Sequence, residues 1–250
     1  MRRPDGWPGR AAAAWLLQVD DRRLELRAAD GRVVERDDVD GSAAIGPAAG
    51  RMLAAHPDGE VQVRVDAGVA RLFLVPWADA LTSGARWHTY ACSRFEQAYG
   101  ESADEWTVRV VDELPPRARL AVALPTAWLK AVTLGGARRV VSVRVGLLDR
   151  VARLLASEPR FSGCAIEVGA SVATLLVFVQ GELRRVRARR FDAAEELAAT
   201  VRSEWASFGI AASAVGAAVA LPAAARAALG DTLAAALGAT RVVELEPLSP

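Results

Sequence analysis

The chain has 250 residues, 52% of them apolar and 24% charged, which supplies core for one large domain or two smaller ones packed together and excludes long disorder or a fibrous architecture. Its 31 Lys and Arg stand against 30 Asp and Glu for a net charge of +1, so the overall basic footprint of a nucleic-acid binder is missing and a charged partner must be met locally. Residues 1–12, with Pro4, Gly6, Pro8 and Gly9, show no periodicity and read as a flexible lead-in.

Structure is expected from about Ala13. Between Trp15 and Arg36 the pattern is strand, turn, strand: Leu16-Leu17-Gln18-Val19, a break at Asp20-Asp21, alternating Leu24 and Leu26, a turn at Ala29-Asp30-Gly31, then Val33-Val34. A short helix is predicted over 48–55, with Pro47 interrupting it upstream, followed by two strands within 61–75 that turn at Asp66-Ala67-Gly68. From Ser83 to Tyr99, Trp87, Tyr90, Ala91, Arg94, Phe95 and Ala98 recur at helical spacing and Gly100 ends the run. Strands are predicted over 106–111, 120–124 and 140–145, and a helix over 147–156.

Beyond Ser162 the pattern is cleaner. Cys164–Val168 is strand-like, Gly169-Ala170-Ser171 a tight turn, Ala173–Val179 a long apolar strand, and Gln180-Gly181 turns it into Leu183–Ala188. Asp192 with Glu195 three residues on predicts a capping box for a helix over 193–208 that Gly209 stops. A strand over 215–221, a helical stretch over 223–237 and a last strand over 241–245 complete the chain. The uncharged run from Trp205 to Ala225 has the length of a membrane span, but its Ser, Gly and Pro content reads as a helix end, a turn and a buried strand. The segments Leu17–Val34 and Ile166–Leu183 share one plan of three strands and two turns, which is either a duplicated unit or a likeness common to antiparallel meanders.

Chemical motifs are sparse. With only Cys92 and Cys164 and no apolar leader, a reducing compartment is expected rather than a disulfide-stapled secreted protein. His88 and Cys92 stand at i, i+4, but a structural zinc site needs four ligands, and His56 and Cys164 have no partner nearby; no metal site is expected. No P-loop, dinucleotide fingerprint or nucleophile elbow occurs. In the run Arg184–Arg190, a continuing strand would project Arg185, Arg187 and Arg189 to one side, toward anionic headgroups or an acidic partner; a solvated edge-protecting strand explains the run equally. The aromatic set Trp77, Trp87, Tyr90, Phe95 and Tyr99 either lines a peptide groove or forms core.

The run Ala165-Ile166-Glu167-Val168-Gly169-Ala170-Ser171, the strand Thr174–Phe178 and the turn Gln180-Gly181 resemble the opening hairpin of the second lobe of actin-like ATPase-fold proteins, in particular the pilus-assembly protein PilM and the cytoplasmic part of general secretion pathway protein L. Arg119–Pro125 and the closing Leu237–Leu248 are similar to corresponding strands of that family. The resemblance implies an abbreviated two-lobed α/β fold, each lobe a mixed sheet with flanking helices, with lobes at 13–160 and 161–250. It also implies two phosphate-cradling hairpin turns and a Gly-Gly turn for the adenosine. Here the first turn reads Val19-Asp20-Asp21-Arg22-Arg23 with no glycine, Glu167 stands where an Asp is usual, and Ala220-Leu221-Pro222-Ala223-Ala224 replaces the Gly-Gly. Asp20, Glu167, Gly169 and Ser171 are thus vestigial phosphate-loop candidates, and no cofactor is expected.

The resulting expectation is a non-catalytic cytoplasmic scaffold, peripheral to the inner membrane, in a type IV pilus or type II secretion-like assembly. It would dock the short cytoplasmic tail of a PilN-type membrane protein, with Trp77, Trp87, Tyr90, Arg185, Arg187 and Arg189 as candidate partner-binding residues; self-association stays open, and nucleic acid is not expected as a partner. The alternative is an actin-like assembly protein that still binds Mg-ATP at a degenerate site, through Gly169, Ser171 and an acid such as Glu167 or Asp20.

Overall fold

A computed structural model describes residues 15–56, 59–111, 117–134, 139–169, 172–209, 216–220, 235 and 241–244. The lead-in 1–12, Ala170 and Ser171, the replaced Gly-Gly segment beyond Ala220 and nearly all of the helical stretch 223–237 lie outside the described residues.

The first sheet is a meander joined to parallel strands. β1 (Trp15–Val19), β2 (Arg23–Ala28) and β3 (Val33–Asp38) pair antiparallel, while β4 (Glu60–Val65) and β8 (Arg139–Val145) extend the sheet in parallel, giving the order β3-β2-β1-β4-β8. Alternation makes this sheet: Val61, Val63 and Val65 are buried, and between them Gln62 and Arg64 are only partly so. Onto it pack α1 (Ser42–Ala55), through Ile45, Ala48, Ala49, Met52 and Leu53, and α3 (Thr126–Leu134), through Trp128 and Val132. Each fully buried Ile, Leu, Met or Val side chain contributes roughly 1.5–3 kcal/mol and each Ala less.

Between β4 and β8 the chain inserts a second layer: β5 (Arg71–Val75), α2 (Gly84–Tyr99), a 3₁₀ turn (Ala103–Glu105), β6 (Trp106–Val110) and β7 (Arg119–Pro125), with strand order β5-β7-β6. Ser83 caps α2 by accepting from the Arg86 N–H, and Gly100 closes it in the left-handed region at φ 69°. Trp87, Ala91 and Phe95 of α2 fill one face of this sheet against Phe73, Val108 and Ala121.

The last sheet repeats the first. After α4 (Gly146–Ser157) come β9 (Gly163–Val168), β10 (Val172–Val179) and β11 (Glu182–Arg190), then α5 (Ala194–Ser207), β12 (Gly216–Ala220) and β13 (Arg241–Glu244). The order β11-β10-β9-β12-β13, with three antiparallel strands and two further parallel ones, is that of the first sheet. All of β9 is buried because both faces are covered. Leu197, Ala198, Val201 and Trp205 of α5 cover one face. On the other, Ala165, Leu176 and Phe178 meet Leu147, Val151 and Leu154 of α4, together with Leu72 and Ala67 of the first lobe, so the two lobes share one continuous apolar core.

Several expectations change. The helix predicted from Ala48 starts at Ser42 and runs through Pro47, which removes one hydrogen bond to the Ala43 carbonyl; burial of Ile45 and Ala48 on either side outweighs that loss. Asp192 does not cap α5: Ala193 is the N-cap without a side-chain bond, and Glu196, not Glu195, reaches back to accept from the Asp192 N–H at 3.1 Å. The arginine run is strand throughout, to Arg190. The strands on either side of Asp66–Gly68 are not partners, since β4 and β5 belong to different sheets. The Trp205 run is divided by the end of α5 and by Gly209 at φ 65°, and no helix among the described residues is long and apolar enough to cross a membrane.

Candidate functional site

Three turns converge where the two sheets meet. The β1–β2 turn carries Asp20, whose Oδ1 accepts from the Arg22 N–H at 2.8 Å while its own N–H donates to the Arg23 carbonyl at 2.9 Å. The β4–β5 turn begins at Asp66, whose N–H donates to the Val19 carbonyl at 2.9 Å and whose carbonyl accepts from Val69 at 3.0 Å, so the ends of β1 and β4 are tied together. The third comes from β9, where Glu167 is only 6% exposed.

Glu167 acts as a latch between the lobes. Its Oε2 accepts from the Ala67 N–H, and its Oε1 accepts from Arg150 Nη1 of α4 at 2.8 Å. One strand over, Thr174 Oγ1 donates to the Ala67 carbonyl at 3.4 Å. Both backbone groups of Ala67 are therefore held by side chains of the second sheet. The Gly169 N–H donates to the Val172 carbonyl at 2.8 Å, and a Cβ at Gly169 would lie 3.0 Å from that oxygen, which is why the turn takes glycine.

Charge at this junction is mostly negative. Burial pushes the Asp66 carboxyl well above its ordinary value, with Glu167 adding to the shift and Arg150 opposing it; Asp20 and Asp21 add smaller repulsions. Burial also raises Glu167, against the guanidinium of Arg150 and the Ala67 N–H. Asp20 is raised by burial, and the N–H groups of Arg22 and Arg23 offset it in part.

A cavity of about 660 Å³ opens beside this junction, between the first sheet's helices and the inserted layer. Ile45 of α1, Val69, Trp106 of β6 and Pro125 give it apolar walls, and Arg71, Lys130, Glu101 and Glu105 stand around it. Arg71 lies 5.4 Å above the Trp106 ring and 5.6 Å above Tyr99, and 3.6 Å from Glu101.

No protein-family model matches this chain, and no curated protein matches it in sequence. Solved structures do match in shape. A Bacteroides thetaiotaomicron protein with an actin-like ATPase fold and unknown function superposes with a TM-score of 0.60 at 8% identity, covering 93% of this chain and 91% of that one. The PilM-PilN type IV pilus biogenesis complex gives 0.60 at 14% identity, with 94% and 91% covered. The chain has the actin-like ATPase fold. The cytoplasmic domain of EpsL, an inner-membrane component of the type II secretion system of Vibrio cholerae, is similar at a TM-score of 0.50 and 12% identity over 83% of this chain and 82% of that one.

In this actin-like frame Asp20, Glu167 and Gly169 come together at the lobe junction, and Ser171 lies outside the described residues. The other candidates sit elsewhere. Trp77 and Trp87 meet in a tilted contact with centroids 5.5 Å apart, but Trp87 is 4% exposed and lies under Arg119 in the core of the inserted layer, so it presents little surface to a partner. Tyr90 packs at the edge of that core. Arg185 and Arg187 both turn inward to Glu204 of α5, at 2.7 and 3.5 Å, and Arg185 also covers Phe208. Arg189 is exposed, with no ion pair among the described residues. Cys92 Sγ is 3.7 Å from His88 Nε2, whereas His56 pairs with Glu35 and Cys164 accepts from the Trp205 indole N–H, so the four candidate zinc ligands are scattered.

Sequence reasoning missed Arg150, Asp66 and the cavity. Arg150 had a visible signal: it occupies the stripe Leu147, Arg150, Leu154, an arginine on the apolar face of α4 that needs a buried anion.

Proposed function

We propose that this chain is a non-catalytic actin-like scaffold of an inner-membrane assembly of the pilus or secretion type, working from the cytoplasmic side of that membrane. In this reading the lobes divide at 13–160 and 161–250, and the cavity beside the first lobe's inserted layer docks the short cytoplasmic tail of a single-span membrane partner of the PilN type. The observation that carries the reading is the state of Glu167. The acid at the phosphate position is committed to Arg150 and to the Ala67 N–H.

A triphosphate needs unclaimed backbone N–H donors at both hairpin turns. Three turn donors are already engaged: Asp20 Oδ1 accepts from the Arg22 N–H, the Arg23 carbonyl takes the Asp20 N–H, and the Val172 carbonyl takes that of Gly169. The acids at Asp20 and Asp21, in the first turn, would disfavour the anion as well. The committed Glu167 and the engaged turn donors support a junction that does without a nucleotide.

The cavity, in contrast, suits a peptide. Its volume falls within the roughly 300–1,000 Å³ of ligand sites, room for a few side chains and not for a folded domain. Apolar walls at Ile45, Val69 and Trp106 would anchor one or two apolar side chains, and the mixed charges of Lys130, Arg71, Asp21, Glu101 and Glu105 would pair with polar groups beside them. That a PilM-PilN complex shares the fold supports a PilN-type partner.

The test is a pulldown from membranes solubilised in mild detergent, with the wild-type chain and Lys130→Glu as baits. The reading expects one single-span protein with a short cytoplasmic N-terminus on the wild type and its loss on the variant. Recovery of soluble metabolic proteins alone contradicts it.

A further inference from the structure

β11 is an edge strand, and its two halves differ. β5 lies near this strand, and Leu183 and Val186 of its first half pack into the core shared by the lobes. The second half, Arg187 to Arg190, is exposed at every residue and pairs on one side only, with β10. The outer side of those residues is a short length of unpaired backbone.

The charge of this open half lies on both faces of the sheet. The register sets Arg187 opposite Leu175 and Arg189 opposite Ala173, both of which face α5; Arg190 stands opposite Val172, on the other face with Ala188 and Thr174. Arg187 shares Glu204 with Arg185, while Arg189 and Arg190 have no ion pair among the described residues. A lipid surface could meet only one face of such an edge at a time. A strand laid alongside would place its alternate side chains on both faces and answer every arginine.

A second copy of this chain fits poorly. β11 against β11 would set arginine against arginine, and the acidic edge strand β3 already pairs Asp38 with Arg23 and Asp37 with Arg51. We propose that the open half of β11 takes an acidic, extended peptide segment of a partner protein by strand addition, at a site separate from the cavity of the first lobe. Backbone hydrogen bonds would supply attachment, and the arginines would supply selection for acid on both faces.

The probe is a fluorescent peptide, Thr-Glu-Glu-Val-Glu-Glu-Thr, titrated by anisotropy against the full chain at low ionic strength. Binding is expected, and it should weaken by about tenfold or more in an Arg189→Glu, Arg190→Glu double variant whose melting temperature is unchanged. An analogue methylated at every backbone nitrogen keeps its charge but loses its donors, and it should weaken comparably. No binding of the unmodified peptide would leave the arginines as edge protectors and overturn the proposal. Equal binding of the methylated analogue would reduce it to loose ionic attraction, and co-sedimentation with phosphatidylserine vesicles that the double variant abolishes would assign the edge to a membrane; either outcome also overturns it.

Discussion

The two five-stranded sheets share one strand order and differ in what stands at the end of the first strand of each. In both sheets the residue just past that strand, Asp20 or Gly169, bonds within its own turn. Near the end of β9, however, Glu167 reaches across to the β4–β5 turn and to Arg150, where β1 has Gln18. The same topology thus yields one self-contained hairpin and one that fastens the lobes together. A duplicated fold prescribes where a turn sits, and the side chains at the turn decide whether a ligand or the other lobe fills the space between.

Removing the latch should have the largest effect. Glu167→Ala leaves Arg150 and the Ala67 N–H without their acceptor in a buried setting, and chemical denaturation should show a loss of about 3–5 kcal/mol. Asp20→Ala is expected to cost much less, because its side-chain bond stays within its own half-buried turn and joins nothing across the lobes. Equal losses would erase the contrast between the two hairpins.

Next comes the turn that follows β10. Gly181 has φ 79°, its N–H donates to the Phe161 carbonyl at 2.8 Å, and a Cβ there would lie 2.0 Å from the Pro159 carbonyl oxygen. Gly181→Ala should lower stability by about 2 kcal/mol or more, since strained backbone and collision act together.

A smaller effect is a pH dependence centred on Asp66. An acid raised by folding binds its proton more tightly folded than unfolded, so its contribution is present below about 3.8 and is lost as pH rises through the folded value. Stability of the wild type should therefore fall from its acid-side level as pH climbs, and Asp66→Asn should flatten that slope. A steeper slope in the variant would place the protonated group elsewhere. At the small end, Lys130→Glu should leave the melting temperature unchanged, because the side chain is exposed at the mouth of the cavity.

Much of the second sheet was legible because its signals are local: a run through β10 that only Thr174 interrupts, glycine at the turns, and an apolar stripe along α5. α3 was harder to see, since Pro125 closes β7 and the helix begins at the next residue; only Trp128 and Val132 at i, i+4 mark its buried side. The cavity left no local pattern at all. Ile45, Val69, Arg71, Glu101, Trp106 and Lys130 come from separate segments and meet only after the inserted layer has packed beside the first sheet. Glu167 was singled out, but its partners were not, because an interlobe bond joins residues about a hundred positions apart.

The most direct test of the closed junction is the melting temperature of the wild-type chain across a Mg-ATP series reaching millimolar concentration. The account predicts one unchanged value throughout. A rise that grows with nucleotide, toward the roughly 2.7 kcal/mol that a ligand supplies at a hundred times its dissociation constant, would contradict it.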